Sequence, residues 1–139
     1  MPSKKTMTPP TNAFAVFDGQ KYLNLESYRN NGTGVRTPLW FAASESGTRS
    51  ATLYAYTLAN SGKAKRIRRS AVVKIAPCNA RGKTDGPWID ARAEIVGGDE
   101  FHRGMQLINR KYRPLKQLLD LSVLLFRRHQ RIVLAIRPA

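Results

Sequence analysis

LYAYTLANSGKAKRIRR, residues 53–69, changes its periodicity halfway along. Leu53, Ala55 and Thr57 alternate with Tyr54 and Tyr56, the period of two that marks a half-buried strand. The turn Ala59-Asn60-Ser61-Gly62 follows, and Lys63 to Arg69 is a basic, helix-favouring segment. A strand that runs through Ser-Gly into a helix presents free backbone N–H groups at the positive helix end, beside Lys63. That arrangement suits a phosphate. It equally suits a plain strand-to-helix turn with a solvated lysine, because a short Gly-Lys signal is weak.

The segments on either side tell what the strand belongs to. Tyr22, Asn24, Glu26 and Tyr28 alternate with Leu23, Leu25 and Ser27 up to the tight-turn signal Asn30-Asn31-Gly32. The chain returns as Val35 to Ala43, where Pro38 predicts an edge or a bulge because proline cannot donate to a ladder. A turn at Glu45 to Thr48 leads into the strand at Thr52 to Thr57. Ala71 to Pro77 reads as a buried strand, and Cys78 to Gly86 as a polar loop. Pro87 to Val96 alternates again, Gly97-Gly98-Asp99 introduces a helix from Glu100 to about Tyr112, and Pro114 opens another. Arg131 to Ile136 closes the chain as a strand. Short turns between successive strands make an antiparallel meander, and so few helices to cover its edges favour a closed or nearly closed barrel. Residues 1–12 are polar and Pro-rich and read as a disordered N-terminal segment, leaving 13–139 as a single domain.

Composition narrows the chemistry. The formal charge of +15 over 139 residues calls for an anionic partner. No acidic residue occurs between Ser46 and Thr84, whereas Asp85, Asp90, Glu94, Asp99 and Glu100 are gathered together after it. Cys78 is the only cysteine, which excludes an intrachain disulfide and a four-cysteine zinc site. No metal site is expected. No apolar run reaches membrane-spanning length and the N-terminus lacks a signal-peptide core, so a cytoplasmic setting is expected. Neither a Gly-x-Ser-x-Gly elbow nor a His-Glu-x-x-His motif is present, and His102 and His129 form no motif. No catalytic residue can be assigned. An enzyme built on this chain would take its difficult chemistry from a cofactor.

Two further groups carry possible binding chemistry. Arg36-Thr37-Pro38-Leu39-Trp40 could hold a flat polar ring, with Thr37 donating and Trp40 as a wall, or Trp40 could simply fill the core. Trp88, at the start of a strand, reads first as a core or dimer-interface aromatic. Lys65, Arg66, Arg68 and Arg69 suggest nucleic acid, yet no recognition helix, zinc finger or stacking platform accompanies them. Such a run is more often a solvated face, and nucleic acid is not the expected partner.

The chain resembles the pyridoxamine-phosphate-oxidase-like split barrels at three places in order. Tyr56-Thr57 followed by Ser61-Gly62-Lys63-Ala64 and Ile67 is similar to their cofactor-phosphate segment. Val35 to Phe41 resembles the Thr-Pro-Val/Leu-Trp-Phe strand of a flavin- or deazaflavin (F420)-dependent oxidoreductase subgroup. Ala76-Pro77-Cys78, Arg81-Gly82 and Gly86-Pro87 are similar to that subgroup's Ala-Pro-Cys, Arg-Gly and Gly-Pro pattern. The resemblance covers about Lys21 to Arg137. It implies a mainly β (α+β) fold, a six-stranded antiparallel split β-barrel with a few flanking helices, homodimeric, with a cofactor near the interface. It also implies F420, or alternatively FMN, and hydride transfer to or from a small organic substrate. By position, Arg36 and Lys63 would meet the phosphate or side chain of the cofactor, Thr37, Leu39 and Trp40 its ring, and Tyr56, Thr57 and Ser61 its polar tail. Pro77, Arg81 and Trp88 would serve the neighbouring subunit's site. The chain departs from the pattern at Gly62, where the oxidases proper have Arg, and at Phe41, where they have Lys. It also lacks their C-terminal Arg-x-His segment, so vitamin B6 oxidation is not implied.

Overall fold

The alternating segments pair with one another until the sheet closes on itself. The computed structural model describes residues 14–44, 52–84, 86–112 and 131–139. Its strands are β1 (Tyr22–Tyr28), β2 (Gly34–Ala43), β3 (Leu53–Leu58), β4 (Val72–Cys78), β5 (Ile89–Val96) and β6 (Arg131–Pro138). Helix α1 (Gly62–Arg69) follows β3, and α2 (Gly98–Tyr112) follows β5. All neighbours are antiparallel, in the order β1-β2-β3-β6-β5-β4, and β4 pairs back onto β1. The expected mainly β, six-stranded antiparallel barrel is present. The segment 1–12, the turn at 45–48 and the helix expected from Pro114 lie outside the described residues.

Alternation decides what fills the barrel. Leu23, Leu25, Phe41, Ile75, Leu134 and Ile136 share the inner face and are fully buried. Each such side chain contributes on the order of 1.5–3 kcal/mol on leaving water. A short 3-10 turn, Ala15–Phe17, brings Phe14 and Phe17 into this core, with Phe17 edge-on to Phe41 at 5.8 Å. That turn was not legible in the sequence, because three residues carry no usable period.

A second apolar layer lies outside the barrel, under α2. Tyr54, Val133 and Ala135 face outward from β3 and β6 and pack with Ile108 and Tyr112. The helix comes close because residue 104 is glycine. A Cβ there would stand 2.9 Å from Val133 Cγ1 and 3.1 Å from the Tyr54 ring. Both ends of α2 are pinned. At the start, Glu100 accepts from the Tyr54 hydroxyl at 2.8 Å and from Arg137 at 2.5 Å. At the end, the buried Tyr112 hydroxyl accepts from the Phe41 N–H at 3.0 Å and faces the Lys21 and Phe41 carbonyls. Lys111 donates to the carbonyls of Gln20 and Phe41. The residue is exposed, but desolvation of the ammonium brings its pKa down to about 8.

One seam of the barrel is short. β1 and β2 pair along seven residues, whereas β2 and β3 pair only through Phe41, Ala42 and Ala43 with Ala55, Tyr54 and Leu53. Phe41 turns its N–H toward the β1 side, where Tyr112 meets it. By alternation, Trp40 and Pro38 direct their main chain toward β3. Pro38 has no N–H to offer there, and the ladder has ended before it. The expectation of an edge at Pro38 is thus met on one side only, since its other side is in register with Asn24 of β1.

Candidate functional site

Where β2 and β3 part, an outward-facing groove of about 280 Å³ opens between them and β1. Tyr22, Pro38, Leu39, Trp40 and Tyr56 line it. Tyr22 and Trp40 are register partners on β1 and β2, so the closed sheet sets their rings side by side. Trp40 stacks flat on Tyr112 of α2, with centroids 4.7 Å apart and planes 8° from parallel. The helix therefore fixes the tryptophan from behind and leaves its edge to the groove. Apart from the two phenols, the lining carries no titratable group. Such a surface can hold a flat ring but can do little acid–base chemistry on it.

Five residues beyond Tyr56, the chain enters α1. Ser61 is the N-cap: its Oγ accepts from the Ala64 N–H at 3.2 Å, and the Thr57 hydroxyl lies 3.4 Å away. Lys63 sits in the first turn, half-buried, its pKa lowered by desolvation and by Arg66 nearby. Among the described residues, no carboxylate lies within ion-pairing distance of Lys63 or Arg66. The start of the helix is thus a site of uncompensated positive charge.

Arg36 is in the opposite condition. Its Nε is 2.8 Å from Glu26 Oε2, and its guanidinium lies 4.5 Å from the centre of the Trp88 ring. Glu26 also accepts from the Tyr28 hydroxyl at 2.8 Å. The arginine's hydrogen bond, outweighing the cost of burial, holds the Glu26 carboxyl below its ordinary range. Burial, with Glu26 next, pushes the Tyr28 phenol up to about 12.

The predicted site residues thus fall into groups. Leu39, Trp40 and Tyr56 meet at the groove. Thr57, Ser61 and Lys63 meet at the helix start. Arg36 and Trp88 meet each other. Thr37 lies on the inner face of β2, in register with Leu25 and on the opposite side from Arg36 and Trp40. Pro77 is buried in register with Leu23. Arg81 is exposed in the loop after β4, which Asn79 folds by accepting from the N–H groups of residues 81 and 83. Asn24 ties that loop to β1 through the Gly82 carbonyl at 2.8 Å. Sequence reasoning missed Tyr22 and Tyr112, and it read Pro38 only within the Arg36–Trp40 strip and Arg66 only as part of a basic run. Only Tyr22 carried a signal, as the partner that hairpin register gives to Trp40.

A larger cavity of about 470 Å³ lies between Gly19–Tyr22 and the loop after β4, with Lys21 and Lys83 on its wall. None of the predicted residues lines it. Among the described residues, no group of three His, Cys, Asp or Glu side chains is placed to hold a metal ion. No described helix is long and apolar enough to cross a membrane.

No protein-family model and no curated protein matches the chain. Solved structures do. The heme storage protein HutZ from Vibrio cholerae is 14% identical with a TM-score of 0.61, covering 90% of this chain and 86% of its own. An F420 reductase is 17% identical with a TM-score of 0.55, covering 90% and 91%. A pyridoxamine 5'-phosphate oxidase-related, FMN-binding protein from Nostoc punctiforme is 15% identical with a TM-score of 0.53, covering 85% and 70%. These likenesses show the fold alone: the chain shares the closed six-stranded antiparallel barrel of these structures.

Proposed function

We propose that this chain binds an anionic flavin-type cofactor, F420 before FMN, and works as an oxidoreductase on a small organic substrate. The observation that carries this is the half-buried Lys63, without a carboxylate partner among the described residues, in the first turn after a Ser61 cap and seven residues from the groove-lining Tyr56. The ring would lie in the groove against Trp40 and Tyr56, and the tail would run along the end of β3 to Ser61 and Lys63. When bound, the cofactor supplies hydride transfer, which asks for no nucleophile from the protein. The residues of the chain bind and orient: the groove aromatics exclude water from one face of the ring, and the helix start neutralises the tail. F420 comes first because its phosphodiester and polyglutamate tail offers several anions to the basic segment at Lys63 to Arg69. FMN remains second, supported by the neighbour named for it. Thr37, Pro77 and Arg81 are not needed for these contacts within one chain.

The groove of about 280 Å³ is at the small end of the roughly 300–1,000 Å³ that ligand sites enclose. A homodimer belongs to the same proposal: a second copy of the chain closing the groove would complete the site. The free, buried Cys78 fits a reducing cytoplasmic setting. The alternative is a barrel that stores or carries such a ligand without turnover. A steep salt dependence of binding to many nucleic-acid sequences would favour a basic nucleic-acid-binding barrel instead.

A single titration tests the reading. The protein should raise the fluorescence anisotropy of F420, or failing that of FMN, at micromolar concentrations, with a shift in ring absorbance. Silence with both, and with FAD, would remove the proposal.

A further inference from the structure

Gly62 leaves a gap in the positive charge that the resemblance leads one to expect, and the structure shows what occupies the space. An ideal Cβ on Gly62 would lie 2.9 Å from Arg66 NH1 and 3.6 Å from its Cζ and NH2. The two residues are four apart, so they share one face of α1, and helical side chains lean toward the N-terminus. The guanidinium of Arg66 therefore lies back over the first turn, where a side chain on residue 62 would have stood. It does not swing freely there. Arg66 Nε donates to Ser27 Oγ at 2.7 Å, and Ser27 is 1% exposed at the end of β1.

The charges that act on it are all positive. They are Arg29 and Arg69, and Lys63 feels it in turn. Arg69 is occupied with the Tyr28 carbonyl at 2.5 Å, and Arg36 with Glu26. Among the described residues the terminal nitrogens of Arg66 have no hydrogen-bond or ion-pair partner. Ser27 fixes the guanidinium through Nε and leaves its NH1 edge beside the Gly62 backbone and Lys63. A planar fork held in that way is suited to the oxygens of a phosphoryl group.

We infer that Arg66 is the second cation of the α1 site, positioned by Ser27 and admitted by the missing side chain of Gly62, and that it selects ligands carrying a phosphoryl group. The inference rests on the cofactor reading above and adds to it the residue that reads the phosphate. Gly62 and Arg66 are then one device: the glycine makes room for the arginine.

The experiment is a calorimetric titration of F420, FMN and riboflavin, the last being FMN without its phosphate. It uses the full chain and its Arg66→Gln, Gly62→Ala and Lys63→Ala variants. Arg66→Gln should weaken the phosphorylated ligand by roughly tenfold or more, the size of a lost charge-assisted hydrogen bond, and leave riboflavin unchanged. Gly62→Ala should give a smaller loss in the same direction although it keeps every charge, because a Cβ there makes the end of the arginine side chain shift, and alanine favours the helix, so folding is not at risk. A merely structural Arg66 would weaken riboflavin equally, and that outcome overturns the inference. So does full affinity of Arg66→Gln for the phosphorylated ligand while Lys63→Ala loses it, which leaves the cofactor reading standing. No binding of any of the three by the unaltered chain overturns both.

Discussion

The Arg36 face of β2 and the start of α1 each set a cation beside a strand end, but they handle its charge differently. At the first, Glu26 accepts from Arg36 at 2.8 Å and Trp88 lies against the guanidinium, so charge and apolar surface are satisfied within the chain. At the second, Lys63 and Arg66 face each other's repulsion with no carboxylate beside them among the described residues. A balanced pair contributes to holding two strands together. An unbalanced pair is kept at a cost, and an incoming anion recovers that cost on binding. Of the two motif cations, Lys63 is therefore the one to expect on a ligand.

The sharpest way to break the comparison is to remove each cation and measure both binding and stability. Lys63→Ala should lower affinity for F420 or FMN by about 1–3 kcal/mol, with no loss of thermal stability, because it deletes an unpaired, desolvated ammonium. Arg36→Ala should do the reverse: near-unchanged affinity and a stability loss of about 0–1 kcal/mol, the range for an exposed ion pair. If Arg36→Ala proved the more damaging to binding, the contrast would be inverted. Binding by the unaltered protein should also fade at alkaline pH. Desolvation, with Arg66 next, lowers the Lys63 pKa, so it loses its proton at a lower pH than a solvated lysine.

The next effect in size belongs to the cap. Ser61→Ala should cost about 1 kcal/mol in unfolding free energy by freeing the Ala64 N–H, measurable in a urea titration. Ligand binding should fall with it, since the same oxygen sets where α1 begins. A change in binding without a change in stability would mean that Ser61 touches the ligand and caps nothing of consequence.

The smallest effect is a pH dependence on the balanced side. The Glu26 pKa is lowered in the fold, so its contribution is present above the unfolded value near 4.5 and is lost as pH falls through the lower folded one. Tyr28 is raised to about 12, so its contribution is present below pH 10 and is lost between 10 and 12. Thermal melts of Glu26→Gln should lack the acid slope that the unaltered protein shows. An identical slope would assign it to other carboxylates.

Much of this was legible in the sequence, for a physical reason. Strand alternation and helix-favouring runs are local, so six strands and α1 follow from residues a few positions apart. The helix start at Tyr56 to Lys63 is likewise contiguous, and its role could be weighed without a fold. What stayed hidden depends on closure. Trp40 meets Tyr112 and Arg66 meets Ser27 only once β1, β2 and the helices are wrapped around one core, at separations no local period encodes. Thr37 and Trp40 looked like one ring-binding strip, yet alternation places them on opposite faces of β2. Pro38 looked like an edge residue, and it is unpaired on one flank alone.

The three-pair ladder between β2 and β3 has a mechanical consequence. A closed barrel opens where the fewest cross-strand bonds must break, and here that place is beside the aromatic groove. Amide protons at the end of β3 that point toward β2, and not to the paired β6, would exchange with solvent ahead of those in the seven-pair β1–β2 hairpin. A ring laid across the seam would act as a splint, fastening together two strands that the backbone leaves apart.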